Sequence, residues 1–352
     1  MTETLPPITN LRKLLAQMEA AGVEALGPCP EHLSESWVDI DPDANGYKSR
    51  TKLVWPKASN EQASPNNTCP LVVYFYGGGF SSGSPDMVLN AARAFASCFH
   101  CVVACPSYKL IPENPFPAPL QSAWQVCAWL SDPSNLNQGP LAETGISVDT
   151  KLGFVIGGVS AGGMIGAVVG GIAAAEMAGK EDFTTGIGLS RMQSPISGLF
   201  AGLPMIVHED MLPDRFKGAL RSRVDNALVD GFNTAALRDT ERNLKADYHS
   251  PWFSPLNIDL NDANIARYHP KRVFAYAGDL DPLRDDTLIY EEYLRGLGSV
   301  ETRCQVLQDQ NHTAWVSPLW PDSHSRLIKE TTMNGMSWLL GREWNKEVDL
   351  PN

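Results

Sequence analysis

The stretch LGFVIGGVSAGGMIGAVVGGIAAA, Leu152 to Ala175, decides the fold. It carries no charge and is long enough to span a bilayer. Its glycines argue against a membrane helix, and it divides into three pieces. Leu152 to Ile156 reads as an apolar strand, Gly157 to Ala161 as a tight turn, and Ala161 to about Ala178 as a small-residue helix. The turn spells Gly158-Val159-Ser160-Ala161-Gly162, a G-x-S-x-G pattern. A serine lifted out of a strand-to-helix turn needs small neighbours, because the backbone closes tightly around it.

The same alternation continues on both sides. Leu71 to Tyr76, Cys101 to Ala104, Leu199 to Met205, Arg272 to Ala277 and Glu301 to Leu307 are apolar runs of strand length. Helical spacing fills Met87 to Ser97 (with Asp86 as its cap), Pro119 to Leu130, Thr287 to Leu297 and Ser325 to Leu340. Strands alternating with helices predict an α/β fold, a mostly parallel central sheet with helices on both faces. Residues 1–50 read as a helix capped by Asn10, with Leu11, Leu14, Leu15 and Met18 on one stripe, followed by an irregular acidic connection. Val207 to Asp259 is charged, helical in spacing and poor in strands, so it reads as a helical cap over the sheet. The expected organisation is an N-terminal cap contribution (1–50), a first core part (51–206), a cap insertion (207–259) and a second core part (260–352).

Composition narrows the function classes. The chain of 352 residues has 28 basic and 40 acidic residues and a net charge of −12, which disfavours nucleic acid and anionic membranes as partners. With 43% apolar residues, a large core is affordable. Met1 to Pro7 does not resemble a signal peptide, so a cytoplasmic location is expected, and the sequons at Asn66 and Asn311 carry no weight. Cys98 and Cys101 form a C-x-x-C pair without a second ligand pair, and buried, inert thiols are the expected state.

Tyr76-Gly77-Gly78-Gly79-Phe80 ends the Leu71 strand. Such glycines let backbone N–H groups converge on one oxygen, as an oxyanion hole requires. A phosphate loop fits poorly, since neither G-x-G-x-x-G nor G-K-[ST] is present. A serine nucleophile needs a base, and the base needs a carboxylate, in the chain order Ser, Asp or Glu, His. Asp281 follows the Arg272 strand and His312 the Glu301 strand, with Asp279 as the rival acid. Asp285 and Asp286 read as helix-start residues. His32, His249, His269 and His324 lie in polar segments and are expected at the surface; His100 adjoins a strand, and His208 lies in the cap.

Four segments in order resemble the hormone-sensitive-lipase-type branch of the α/β-hydrolases. Tyr76-Gly77-Gly78-Gly79-Phe80 stands where that family has H-G-G-G-[FW]. Ser107 to Glu113, followed by Phe116-Pro117-Ala118, is similar to D-Y-R-L-A-P-E…F-P-A. Gly158 to Gly163 stands for G-D-S-A-G-G, and Asp281 to Asp285 for D-P-L-R-D. The resemblance implies an α/β-hydrolase fold, Ser160, Asp281 and His312 as catalytic triad, and the N–H groups of Gly78, Gly79 and Ala161 as oxyanion hole. It implies no metal or cofactor. Tyr76 and Val159 depart from the family's histidine and aspartate, which suggests tuning of the oxyanion loop and a more apolar elbow. The expected partner is a small-molecule ester or lactone, apolar and of small to medium size, in specialised metabolism or detoxification. Phe80, Met205 and Trp315 are the expected substrate contacts, with Trp252 and Phe253 also near the pocket mouth. An acyltransferase, thioesterase or cyclase would use the same triad, and a non-catalytic receptor the same fold. Either a monomer or a homodimer is compatible with the sequence.

Overall fold

The computed structural model describes residues 8–41, 47–58, 67–316 and 323–346. Eight strands form one sheet: β1 (Leu33–Ile40), β2 (Ser49–Pro56), β3 (Leu71–Phe75), β4 (Val102–Pro106), β5 (Phe154–Val159), β6 (Gly198–Gly202), β7 (Arg272–Gly278) and β8 (Glu301–Leu307). Their order is β1-β2-β4-β3-β5-β6-β7-β8. β2 pairs antiparallel with β1 and β4, and the remaining pairs are parallel. From β3 the chain moves outward to β4 on one side and to β5 on the other. The strand order therefore reverses beside β3, and the crevice at its carboxyl end is where such sheets place a site.

β3 to β6 are buried along their whole length, as near-continuous apolar runs must be when helices cover both faces. One layer holds α2 (Leu89–Phe99) and α8 (Ser323–Leu340), which touch each other and the sheet. The opposite layer holds α4 (Ala161–Met177), with α3 (Ala118–Leu130) and α6 (Ala263–Tyr268) against it. Helix α7 (Arg284–Gly296) packs on β7 and β8.

Several boundaries differ from expectation. Leu33–Ile40 and Ser49–Pro56 are not an irregular connection; they pair antiparallel as β1 and β2 at the sheet edge. Their alternation is masked by charges that pair sideways: Glu35 bonds Arg93 at 2.6 Å, and Trp37 lies between Arg50 and Lys52, each 4.5 Å from its ring. Helix α1 (Ile8–Leu26) starts before Asn10, and the side chain of Leu11 lies outside the described residues, as do Met1 to Pro7, Asn66 and the side chain of His324. Ser84, not Asp86, caps the turn Pro85–Val88 that leads into α2. Leu152 lies in a turn, and β5 runs on through Gly157 and Gly158 to Val159. Between 207 and 259 the chain is mostly turns and short 3-10 segments, with one substantial helix, α5 (Thr234–Leu244), capped by the Asn233 side chain.

Candidate active site

Ser160 stands between β5 and α4 with φ 56° and ψ −120°. A non-glycine residue pays about 1–3 kcal/mol for such a backbone and holds it only when the surroundings over-determine it. They do so here. A Cβ on Gly162 would lie 2.1 Å from the Phe75 carbonyl oxygen, and one on Gly163 2.4 Å from that of Gly202. The Ser160 N–H donates to the Gly202 carbonyl at 2.7 Å, and the Ser160 carbonyl accepts from Met164 at 3.0 Å. Strand and helix are thus clamped on either side of one serine.

The Ser160 Oγ lies 2.8 Å from His312 Nε2, and His312 Nδ1 lies 2.8 Å from Asp281 Oδ2. Asp281 is completely buried, and its other oxygen accepts from the Leu283 N–H at 2.8 Å. An ionised carboxylate only accepts, so Nδ1 carries the ring proton and Nε2 is left to accept from the serine hydroxyl. Asp279 is turned away: its Oδ1 accepts from the Gln310 N–H. The three residues predicted from chain order are therefore brought together, and the rival acid is not among them.

Gly78 and Gly79 both have positive φ, 122° and 59°, and Phe80 follows at 60°. The Gly78 carbonyl is folded back to accept from the N–H groups of Ser81 and Ser82 and from the Ser82 hydroxyl at 3.0 Å. A Cβ on Gly77 would collide with Trp315 at 2.5 Å and Ser160 at 2.8 Å, so the turn sits directly against the serine. Tyr76 braces this turn by its ring, stacked on Tyr108 with centroids 4.6 Å apart. The Tyr108 hydroxyl donates to the Tyr76 carbonyl at 3.2 Å. Val159 is buried at the end of β5.

A cavity of about 240 Å³ opens over the serine. Gly78, Gly79, Ala161, Phe80, Met205 and Trp315 line it, as the sequence suggested. Trp252 and Phe253 do not; they are buried elsewhere, Trp252 edge-on to Trp124 and Phe253 against Tyr248. Leu15 of α1, Met87, Phe232, Ala236 and Thr240 line it without having been singled out. The stripe on α1 was the available signal for Leu15. Phe232 sits over the imidazole, ring centroids 4.4 Å apart. Among the described residues, no titratable side chain other than His312 lines the cavity. His208 stacks on Tyr248 outside it.

The roof is tied down by Asp285 and Asp286, whose role exceeds that of helix-start residues. Asp286 accepts from the N–H groups of Ile206 and Val207 at 3.0 and 2.9 Å and pairs with Arg223. Asp285 accepts from Arg221 and Ser222 at 2.5 and 2.6 Å. Burial opposes the charge on Arg223, yet the Asp286 carboxylate outweighs it and raises the guanidinium above its ordinary pKa. Of the C-x-x-C pair, Cys101 is buried but Cys98 only half-buried, and burial raises both thiols, Cys101 well up, away from thiolate reactivity.

Comparison with known proteins gives this geometry a family. A family model described as an α/β hydrolase fold matches residues 72–316. The esterase LipI of Mycobacterium tuberculosis is 29% identical over 76% of this chain and 72% of its own length. Versiconal hemiacetal acetate esterase of Dothistroma septosporum is 24% identical over 92% of this chain and 88% of its own. Among solved structures, vibralactone cyclase superposes with a TM-score of 0.77 at 21% identity, over 97% of this chain and 91% of that one. The chain belongs to the α/β-hydrolase fold family, in its hormone-sensitive-lipase-type carboxylesterase branch. Within that family it is a carboxylic ester hydrolase by class. Among the described residues, no helix is long and apolar enough to cross a membrane, and no group of three or more His, Cys, Asp or Glu is placed to hold a metal ion.

Proposed function

We propose that the protein hydrolyses neutral, apolar esters or lactones of small to medium size through an acyl-enzyme on Ser160. The observation that carries this is the Ser160–His312–Asp281 hydrogen-bond chain at the floor of a cavity whose described lining carries no fixed charge. Ser160 Oγ attacks the ester carbonyl as His312 Nε2 takes its proton. Asp281 holds the ring orientation and stabilises the imidazolium. The N–H groups of Gly78, Gly79 and Ala161 receive the oxyanion, each donor being worth about 3 kcal/mol in such sites. The intermediate collapses, and His312 returns the proton to the departing alcohol. Water then attacks the acyl-enzyme by the same path in reverse and releases the acid.

Phe80, Met205, Phe232 and Trp315 make the walls apolar, and a charged substrate group buried there would lack a partner. The segment 207–259 and α1 act as the cap over the core parts 51–206 and 260–352. Relatives named for acetate esters of specialised metabolites, among them 3-O-acetylpapaveroxine carboxylesterase of Papaver somniferum, support a role in that kind of metabolism or in detoxification. We place the protein in the cytoplasm, as a monomer or a homodimer.

The test is hydrolysis of a p-nitrophenyl ester ladder, acetate to laurate, by wild type and Ser160→Ala. Turnover should fall on the order of 10⁴-fold or more in the variant. A loss below about tenfold would discard the serine mechanism, because removing the nucleophile of such a triad costs far more. Product analysis separates the free acid from a transferred or cyclised acyl group.

A further inference from the structure

The catalytic cavity is not the only space under α1. A second space of about 50 Å³ lies between α1 and the Pro85–Val88 turn, lined on its helix side by Val23, Leu26 and the half-exposed Met18, with the polar side chains of Glu19, Asp86 and Asn90 at its border. Leu15 and Met87 line both spaces. Each has an unbranched Cβ and turns readily.

The backbone that carries Leu15 is held on both sides of it. Arg12, three residues earlier on the same face, forks onto Glu113 at 2.7 and 2.8 Å. It also donates to the carbonyls of Ser81 at 2.7 Å and Ile111 at 2.8 Å. Glu19, four residues later, accepts from the Ser84 hydroxyl at 2.5 Å. These anchors fix α1 against the loop that follows the oxyanion glycines. Leu15 and Met87 are the two residues that both linings share, so they stand between the two spaces.

We propose that the second chamber is a latent subsite for the far end of an elongated apolar acyl chain, closed off by the Leu15–Met87 partition. This rests on the reading that Ser160 hydrolyses esters. The partition sets the chain-length limit of the wild type, and removing Leu15 beyond its Cβ joins the spaces. An acyl chain that gains burial for two further methylenes gains about 1.6 kcal/mol, or roughly fifteenfold in kcat/KM.

The experiment compares kcat/KM for p-nitrophenyl octanoate and butyrate in wild type, Leu15→Ala, Met87→Ala, and Leu15→Ala with Val23→Phe. The octanoate-to-butyrate ratio should rise roughly fifteenfold in each single variant. Val23→Phe fills the second chamber and should return the ratio towards the wild-type value. An unchanged ratio in both single variants overturns the proposal. So does a raised ratio that Val23→Phe fails to reverse, since general loosening of α1 would then explain it. Failure of the underlying reading looks different: wild type would turn over neither ester, and a fluorophosphonate would leave Ser160 unlabelled.

Discussion

The floor of the active site and its roof are built by opposite means. Under the serine, β3, β5, β6 and α4 approach so closely that backbone meets backbone. Gly158, Gly162 and Gly163 each stand where a Cβ would fall within 2.4 Å of a carbonyl oxygen. Over the serine, the chain from 203 to 262 has little regular structure, and charged side chains hold it. Asp286 collects two N–H groups and a guanidinium, Asp285 two more N–H groups, and Arg223 the carbonyls of Pro282 and Val207. A floor fixed by backbone contact keeps nucleophile, base and oxyanion turn in register, and no side-chain substitution retunes it gently. A roof held by side chains can change its walls while the chemistry stays in place.

That contrast is broken most severely at Gly162. Adding one methyl there drives it against the Phe75 carbonyl at 2.1 Å, and neither partner is a flexible side-chain end. Gly162→Ala should cost above about 4 kcal/mol, the range reserved for changes that a packed backbone cannot absorb. Thermal unfolding and recovery of soluble protein measure it. A variant that melts like wild type would show the floor to be softer than its geometry indicates.

The roof has its own breaking point, of smaller size. Asp286→Asn keeps an oxygen for Ile206 and Val207 but strands the charge of Arg223, which is almost fully buried. Leaving one member of a buried pair unpartnered costs about 3–5 kcal/mol, while removing both charges costs less. Denaturant midpoints should therefore show Asp286→Asn recovering much of its loss when Arg223→Met is added. KM should rise more than kcat falls, because the walls loosen and the floor does not. Equal loss in single and double variants would mean that the pair is no more than packing.

The two regions also differ in how much the sequence discloses. The floor is legible because its chemistry restricts residue type: only small residues fit around Ser160, and a base and an acid must follow later strands. That order brings His312 and Asp281 into view, with Asp279 as a rival acid that order alone does not exclude. The roof is hidden because side-chain capture leaves no periodic trace. Asp285 and Asp286 satisfy a helix start, so nothing in the local pattern reveals that they also collect amides from segments 63 to 80 residues away. Leu15 lies on a visible stripe, yet its neighbours depend on where α1 docks. Trp252 and Phe253 are apolar residues near the site in sequence and core residues in space. The β1–β2 pair escaped for a related reason, since Glu35 and Lys52 meet Arg93 and Asp86 on other elements.

His269 sharpens the comparison with the smallest of these effects. It follows α6, on the helix layer packed against α4, and it is buried where a surface position was expected. Its Nδ1 donates to the Pro270 carbonyl at 3.0 Å, and burial pushes its pKa down to about 4. The folded value lies below the unfolded one of about 6.5, so protonation favours the unfolded chain. Stability is full above about pH 6.5 and declines as the pH falls towards 4, by about 2 kcal/mol at pH 5. The roof behaves otherwise. Hydrogen bonds from Arg238 hold Glu209 down to about 2, so that pair keeps its charge until the pH approaches that value. At pH 5, hydrogen exchange should accordingly accelerate around α6 and the start of β7 before it does in α5, and His269→Gln should flatten the dependence of the melting temperature between pH 7 and 5. Earlier opening of α5 would reverse the assignment, because acid would then be loosening the charged roof while the apolar floor held.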